Sequence, residues 1–269
     1  MKNILSLILT ISYFSIYGQP NCEIYKSVDN QNCYNACKLA IQASDDQGSK
    51  ESQIQFDDAL TLCPNFDWAY FEKSVPYVKR GEFLNWISLI DQAVKINPIA
   101  HLGYRGWCKY QFLRDYKGAL DDLTQLSKFQ KNIGYSQNGN YHLDIVKALC
   151  YKGLGNNTEA INIIENTMSN TNYSVGFYDY LHLGVAYLME KDYDKAKIIL
   201  ERQIEKHDYL AETYFYLALI CKHKNQMTKY KDYLQKAKEK YLKGERLKDP
   251  YTIPMDKVYL QEIEEGSLY

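Results

Sequence analysis

Cysteine is the residue type with the clearest capacity for chemistry in this chain. Four of the seven cysteines, Cys22, Cys33, Cys37 and Cys63, lie near the N-terminal end. Thiols grouped in this way can form disulfides in an oxidising compartment or bind a metal ion. Cys33 and Cys37 are one helical turn apart and could supply two metal ligands, but neither a histidine nor a tight cysteine pair accompanies them. We therefore predict disulfides here and no metal site.

The other polar residues show no catalytic pattern. The five histidines are scattered, and no two of them have the spacing of a metal-binding helix. A phosphate-cradling glycine loop, a nucleophile elbow and a dinucleotide fingerprint are also missing from the sequence. The paired acids Asp57-Asp58 and Asp121-Asp122 are predicted to lie on a solvated helix face. We expect no enzymatic activity and no cofactor. The remaining cysteines are predicted to be buried thiols inside helices: Cys108, Cys150 and Cys221.

The composition argues against a nucleic acid partner. The formal net charge is -1, and charged residues make up 24% of the chain, so no basic surface is available to neutralise phosphates. Tyrosine occurs 26 times, which is unusually often. We interpret most of these rings as packing residues whose hydroxyl ends stay wet.

The N-terminal end has the pattern of a secretory signal peptide. Lys2 provides a basic start, residues 4–16 form an apolar run, and Gly18 offers a small residue before a cleavage site. We predict a signal peptide over residues 1–18 and an exported protein, periplasmic or extracellular, with no membrane span after its removal. Cys22 raises the alternative of a lipid anchor, although residues 19–21 lack the small-residue context that a lipid-attachment signal needs.

Small residues recur in or near multiples of about 34 residues, the period of stacked helix-turn-helix repeats. They are found at Ala40, Ser74, Ala148, Gly184 and Ala218. Small residues let two helices approach closely. A single repeat cannot bury its apolar face alone, so repeats stack on one another and form a continuous core. The period therefore predicts an all-α solenoid of about six repeats, three over 33–129 and three over 141–242, with a connector over 130–140. Proline after residues 63 and 97 is predicted to end the preceding helix.

This pattern resembles the tetratricopeptide repeat family over residues 33–242. The fifth unit, with Tyr180, Leu183, Gly184, Tyr187 and Ala196, is nearly a consensus repeat. The resemblance implies a right-handed superhelix whose concave groove, formed mainly by the first helix of each pair, binds another protein or an extended peptide. One subgroup grips a C-terminal carboxylate through lysine and asparagine in its first repeat. The corresponding residues here are Cys37 and Ile41, so that chaperone-linked activity is not supported.

The family's groove-facing helix positions define a set of partner-binding candidates that is apolar and aromatic with a few cations. Trp68, Phe71, Arg105 and Lys109 are the preferred anchors, because aromatic and arginine side chains dominate interface hot spots. The alternative is that several of the set pack against an adjoining helix or a folded-back tail. The full set comprises Trp68, Phe71, Val75, Lys79, Arg105, Lys109, Phe112, Ile145, Lys152, Tyr178, Leu181 and Phe215.

The first helical hairpin narrows the choice of disulfides. The end of its second helix returns beside the start of its first, which brings Cys63 near Cys33 or Cys37. We predict one bridge from Cys63 to either of them, with Cys22 tying the N-terminal segment, residues 19–32, to the remaining one. Four cysteines allow three pairings, and the sequence does not choose between them.

The tail over residues 243–269 departs from the repeat pattern. Pro250 and Pro254 break the helix, and residues 255–265 can form a short amphipathic helix. We expect a C-terminal capping helix on the last repeat, as is usual in solenoids. The alternative is that the tail folds into the groove and blocks it.

Two functions are compatible with these features. The favoured one is an exported scaffold that mediates protein-protein interaction through its concave groove, with a partner whose identity the sequence does not reveal. The other is an accessory protein that binds glycan or cell-wall material in the envelope, since aromatic faces stack on sugars.

Overall fold

The computed structural model describes residues 19–267, and they are helical apart from their turns and loops. No strand occurs in this range; an isolated antiparallel bridge joins Tyr135 and His142. The predicted signal peptide, residues 1–18, lies outside the described residues.

The helices follow one another in pairs along the described chain. The six predicted repeats correspond to α2–α3, α4–α5, α6–α7, α8–α9, α10–α11 and α12–α13, and the predicted all-α repeat architecture is confirmed. The helices are α1 (Glu23–Ser27), α2 (Gln31–Ser44), α3 (Lys50–Leu62), α4 (Asp67–Lys79), α5 (Phe83–Ile96), α6 (Pro98–Cys108), α7 (Tyr116–Phe129), α8 (Leu143–Gly153), α9 (Asn157–Ser169), α10 (Asp179–Met189), α11 (Tyr193–Lys206), α12 (Ala211–His223), α13 (Met227–Leu242) and α14 (Leu260–Glu265).

The chain divides into two compact units. The first ends at Pro76 and the second begins at Tyr77, so the division falls within α4. The first unit has a core of small and aromatic residues from α2 and α3 and the loop after them, including Ala40, Phe56 and Phe66, all of them fully or almost fully buried. The predicted connector lies inside the second unit.

Close helix contacts explain why small residues recur with the repeat. In the second unit, α10 packs on α11 at Gly184, where a Cβ atom would lie 2.6 Å from Leu200 Cγ. Ala148 and Ala218, at related positions, are fully buried. A larger side chain at these positions would have to displace the neighbouring helix.

Polar caps and prolines set the helix boundaries. Asp115, Asn156 and Asp192 each accept a hydrogen bond from the backbone N–H three residues on, which satisfies a donor that the first helical turn leaves free. Helix α5 ends at Ile96 and α6 begins at Pro98, where the missing N–H costs nothing. Both predicted proline stops are therefore confirmed.

The third repeat contains an irregular turn. Helix α6 runs into a π-helical turn over Lys109–Leu113, and Arg114 then adopts a left-handed conformation with φ of 56°. π-Helical turns are rare in proteins, and many of those that occur lie at functional sites. Here the π-helical turn and Arg114 connect the two helices of the repeat.

The tail, described over residues 243–267, ends in a helix shorter than the sequence predicts. Helix α14 begins at Leu260 rather than at residue 255 and packs on α13, with Ile263 buried. Asp256 has a φ of 62°, a left-handed conformation that interrupts a right-handed helix. Residues 245–258 are instead irregular and form a loop.

Candidate binding groove

The tail lies against the first helices of the second unit. We call the side chains of the π-helical turn that follows α6, and those of α8, α10 and α12, that meet the tail the first-helix face. The tail leaves α13, passes α12, reaches the π-helical turn with residues 251–253, and returns across α8, α10 and α12. An irregular loop of this chain therefore occupies the face that is predicted to bind partners.

The tip of the tail is bound by the π-helical turn and the residue that ends it. Gln111 Nε2 donates to Thr252 Oγ1 at 2.6 Å, and the Arg114 guanidinium donates to the carbonyl oxygen of Ile253. The rings of Phe112 and Tyr251 lie 6.4 Å apart. The irregular turn of the third repeat thus supplies the contacts that hold the tip.

Asp256 lies at the centre of the face and is held by two basic side chains. Lys152 Nζ lies 2.7 and 2.6 Å from its two carboxylate oxygens, and His182 Nδ1 lies 2.7 Å from Oδ2. Because an ionised carboxylate only accepts hydrogen bonds, His182 donates from Nδ1. Its Nε2 lies 3.3 Å from the hydroxyl of Tyr141, and the Tyr216 hydroxyl donates to the backbone carbonyl of Asp256 at 3.3 Å.

Burial makes this charged cluster energetically demanding. Burial by itself would raise the pKa of the Asp256 carboxyl, but Lys152 and His182 overcome that effect and hold the pKa below its usual value. Burial also raises the pKa of the Tyr141 and Tyr216 hydroxyls, which therefore stay neutral donors. Removing one member of a buried ion pair leaves the other uncompensated and is strongly destabilising.

Glu212, on α12, joins the outgoing and returning parts of the tail. Both oxygens of its carboxyl group accept from the backbone N–H of Leu247 at 3.1 Å, and the Val258 backbone N–H also bonds to it. Burial raises its pKa to about 7, while these hydrogen bonds and the nearby Lys257 oppose the increase. The protonation of Glu212 is therefore coupled to how the tail is held.

The C-terminal end of the tail is anchored on α12 and α13. The carbonyl oxygen of Gly266 accepts from Lys222 Nζ at 3.0 Å and from the Tyr230 hydroxyl at 3.3 Å. Helix α14 therefore lies on the last repeat, as a cap does, while residues 245–258 lie along the first-helix face. The tail combines both of the arrangements that the sequence left open.

The predicted partner-binding residues of the second unit take several kinds of position. Ile145, Leu181 and Phe215 have no exposed surface, so they are core residues in this state. Others meet the tail: Lys152 binds Asp256, Phe112 packs near Tyr251, and Lys79 Nζ lies 5.9 Å from the Tyr251 ring centre. Tyr178 is half-buried with its ring 5.8 Å from that of Tyr141.

Arg105 and Lys109 are engaged with Asp122 on α7. Arg105 binds it through Nε and Nη2, at 2.9 and 2.6 Å, and Lys109 Nζ lies 2.8 Å from its Oδ2. Arg105 also pairs with Asp91 at 2.7 Å. Asp122 is buried, so the prediction that it lies on a solvated face is wrong. The two basic residues compensate its charge and hold α6 to α7.

In the first unit, the predicted candidates lie along the N-terminal part of α4. Trp68, Phe71 and Val75 are half-buried, and the Trp68 ring packs 6.1 Å from that of Phe66. All three belong to the same helix. A partner-binding role for these three residues stays a prediction.

The four N-terminal cysteines form two disulfides in the first unit. Cys22 pairs with Cys37, and Cys33 pairs with Cys63, with Cα atoms 5.6 and 4.9 Å apart. This is one of the pairings that the sequence left open. The second bridge joins the start of α2 to the end of α3, as expected where a helical hairpin returns beside its own origin.

No metal centre is found in the described part of the chain. The sulfurs of Cys33 and Cys37 are both in disulfides, and residues 19–267 contain no group of three His, Cys, Asp or Glu side chains able to hold an ion. Cys108, Cys150 and Cys221 are buried free thiols. Within this same range, no helix is long and apolar enough to cross a membrane.

Several residues of the face were not predicted from the sequence. They are Tyr141, His182, Glu212 and Asp256. Glu212 had a usable signal, because it occupies the second position of the sixth repeat, which is a groove-facing position in the family. His182 and Asp256 had none, since neither lies at a groove-facing position of the pattern and their partners are far away in sequence.

Comparison with known proteins supports the repeat assignment. The sequence model of the tetratricopeptide repeat matches residues 180–208, the near-consensus fifth unit. No curated protein sequence matches this chain.

Solved structures with the same fold cover most of the chain at low sequence identity. PilW, a type IV pilus biogenesis factor, is 13% identical with a TM-score of 0.61, over 79% of this chain and 94% of that one. A tetratricopeptide repeat protein from Parabacteroides merdae is 17% identical with a TM-score of 0.55, over 91% and 88%. YrrB, described as having an unusual peptide-binding site, is 15% identical with a TM-score of 0.53, over 76% and 96%.

These similarities show the fold, and the family pattern, the matched unit and the helix pairs agree with one another. Residues 180–208 match the tetratricopeptide repeat itself, and the described chain has the fold of tetratricopeptide repeat proteins.

Proposed function

We propose that this protein is a scaffold that binds an extended segment of another protein along the first-helix face of its second unit. One observation carries the proposal: this face already holds a non-helical segment, the chain's own tail, through side chains from four successive repeats. A surface that binds residues 245–258 by backbone and side-chain contacts has the chemistry to bind another segment of the same kind. The peptide-binding site named for YrrB supports this mode of binding.

A partner has to displace the tail before it can occupy the face. The tail is covalently attached, so its effective concentration at the face is of millimolar order, and a free segment competes against that. Its contacts are partly polar, and several of them lie at the tip, where Gln111 and Arg114 hold residues 252–253. Tyr251 and Ile253 at the tip are nevertheless more than half exposed, so displacement starts most easily there.

We also propose that the protein acts outside the cytoplasm. The signal peptide predicted over residues 1–18 supports export, and the disulfides Cys22–Cys37 and Cys33–Cys63 are of a kind that persists in oxidising compartments. Nothing in the cluster around Asp256 calls for a reaction, because each group serves to hold the tail. We assign the protein a binding role without catalysis.

Site-specific photocrosslinking in the native envelope tests this function. A photoreactive phenylalanine analogue at Phe112 lies on the first-helix face, and the same analogue at the exposed Thr124 on α7 serves as the matched control. We expect irradiation to join a second protein at position 112 and not at position 124. Crosslinking to the tail leaves the mass unchanged, so it is separated from capture of a partner on a denaturing gel.

The experiment is repeated with the tail loosened by Asp256→Asn. If a partner competes with the tail, the yield at position 112 should increase in this variant. The function is contradicted if position 112 captures no protein in either background, or if positions 112 and 124 capture the same proteins equally.

A further inference from the structure

Asp256 is an acid of the tail that points into the repeats. Asp249 and Glu262 accept hydrogen bonds from the backbone of the tail itself, and Glu264 forms a surface pair with Lys238. These carboxylates shape the tail or lie at its surface. The Asp256 carboxylate is buried against α8 and α10 and binds only side chains of the repeats. It is therefore the acid through which the first-helix face recognises the tail.

The groups around Asp256 are positioned by the repeat stack. Lys152 belongs to α8 and His182 to α10, while Tyr141 precedes α8 and contacts the second nitrogen of the His182 ring. His182 has no exposed surface, and the Lys152 side chain is 8% exposed. Both donors therefore project from packed helices of successive repeats.

The charge of this site favours an anionic occupant. Without a carboxylate, Lys152 would present an ammonium group without a counter-charge at a site where its side chain is 8% exposed. A cation in such surroundings is costly unless it is paired or solvated. A carboxylate that accepts from both Lys152 and His182 makes charge-assisted hydrogen bonds, which are stronger than neutral ones.

The backbone around Asp256 adds a second requirement. Asp256 has a φ of 62°, a conformation that aspartate and asparagine tolerate better than most residues. Two residues later, Val258 is fully buried and its N–H bonds to Glu212. The site thus holds an acidic side chain, a left-handed backbone at that residue, and an aliphatic side chain two positions on.

We propose that Lys152, His182 and Tyr141 form a carboxylate-binding site on the first-helix face, and that the partner inserts an aspartate there in place of Asp256. The same segment places an aliphatic side chain two residues later, in the position of Val258. This identification of the partner's chemistry rests on the proposed function, in which a protein segment replaces the tail.

Peptide binding to the full chain carrying Asp256→Asn provides the test. The probes are a labelled peptide with the sequence of residues 251–259 and its D256N counterpart, measured by fluorescence polarisation. The host variant keeps a residue that tolerates the left-handed backbone but lacks the competing charge. We expect the peptide with aspartate to bind at least about tenfold more tightly than the peptide with asparagine, because hydrogen bonds to a charged acceptor are stronger than those to a neutral one.

Two lysine variants on α8 locate the effect. Lys152→Met in the same host should abolish the difference between the two peptides. Lys147→Met should preserve it, because Lys147 pairs with Asp144 and lies outside the site. Equal binding of the two peptides, or a difference that survives Lys152→Met, overturns the proposal.

The unaltered chain gives an independent readout if the host variant unfolds. Millimolar peptide with aspartate should accelerate amide hydrogen exchange at Leu247 and Val258 by displacing the tail, and the counterpart with asparagine should not. Identical exchange with both peptides overturns the proposal. Displacement of the labelled peptide by polygalacturonate at a lower concentration than by unlabelled peptide would assign the site to an acidic glycan and also overturn it.

The two proposals fail in different ways. A partner captured at position 112 together with equal peptide affinities rejects the carboxylate site and leaves the scaffold function standing. A clear preference for aspartate without any captured partner rejects the scaffold function alone.

Discussion

Asp256 and Lys152 are 104 residues apart in sequence, yet Lys152 Nζ lies 2.6 Å from a carboxylate oxygen of Asp256. This pair joins the tail to the fourth repeat and lies at the centre of the first-helix face. Ordering the tail against the repeats costs conformational entropy, so this arrangement persists only where its contacts are strong. The pair explains how a repeat protein can keep its own tail on a binding surface.

We expect Lys152→Met to weaken the attachment of the tail by about 3–5 kcal/mol, the cost of removing one partner from a buried ion pair. Native-state hydrogen exchange at the Val258 amide measures this local opening. The control is Lys238→Met, which breaks an ion pair whose side chains are 42% and 48% exposed. Pairs of that kind contribute less than about 1 kcal/mol. Equal effects of the two variants would contradict the assignment.

Glu212 should make stability depend on pH. Its pKa is about 7 in the folded chain against an ordinary value of 4.5. Between these values the folded chain binds a proton that the unfolded chain has lost, so stability falls as pH rises through this window. The total loss is about 3 kcal/mol, at about 1.4 kcal/mol for each unit of pKa.

Glu212→Gln removes this titration and keeps an acceptor for Leu247. Guanidinium unfolding of both proteins at pH 5 to 8 measures this. The free energy of unfolding of the variant should increase relative to that of the wild type as pH increases. Parallel stability profiles would show that Glu212 does not carry the proton.

The two disulfides should stabilise the first unit through its unfolded state. Their sequence separations are 15 and 30 residues, for which loop closure predicts about 3 and about 4 kcal/mol respectively. We expect Cys33→Ser with Cys63→Ser to destabilise residues 19–76 more than Cys22→Ser with Cys37→Ser does. Hydrogen exchange resolved along the chain separates this loss from changes in the second unit. The reverse order would contradict the loop-closure account.

The three free thiols should not react in the folded protein. Cys108, Cys150 and Cys221 are buried, and burial raises the pKa of the Cys150 thiol to about 12, so the reactive thiolate is scarce. Alkylation counted by mass spectrometry should give no modification in the native chain and three after denaturation without reductant. Denaturation with reductant should give seven, provided that all the cysteines of the sequence are retained. Rapid native labelling would contradict the described burial.

Gly184 should resist even the smallest side chain. A Cβ atom there would lie 2.6 and 2.7 Å from Leu200 Cγ and Cδ2. We expect Gly184→Ala to destabilise the protein by about 1–3 kcal/mol through overpacking, although alanine favours helix by about 1 kcal/mol. Urea unfolding of Gly184→Ala, Leu200→Ala and the double variant tests the cause. The double variant should lose less free energy of unfolding than the two single variants lose together. Additive losses would show that steric overlap is not the cause.

Much of the helical framework could be predicted because repeat packing is local. Each helix pair packs on the next one, so small residues such as Ala40, Gly184 and Ala218 recur at the spacing of the contacts that they permit. Caps and prolines act within a few residues, which is why the helix ends at Ile96 and Leu62 follow from the sequence.

The candidate site was harder to predict, since periodicity identifies a face but not what covers it. Lys152 and Phe112 were predicted on that face, and both meet the tail. Arg105 and Lys109 were predicted as anchors, yet they bind Asp122, because the partners of a charge depend on which acids are brought near it. Helix α14 begins at Leu260 because the contacts of Asp256 with the repeats override the local helical pattern.

The sequence by itself determined the all-α repeat architecture, the order of the helix pairs and the clustering of four cysteines near the N-terminal end. These properties arise from interactions between residues close in the chain, so they leave a period or a motif. Only the tertiary structure decided that the tail lies on the first-helix face and that Asp256 meets Lys152 and His182. Those contacts join residues far apart in sequence, and their stability depends on burial and charge pairing that exist only in the folded chain.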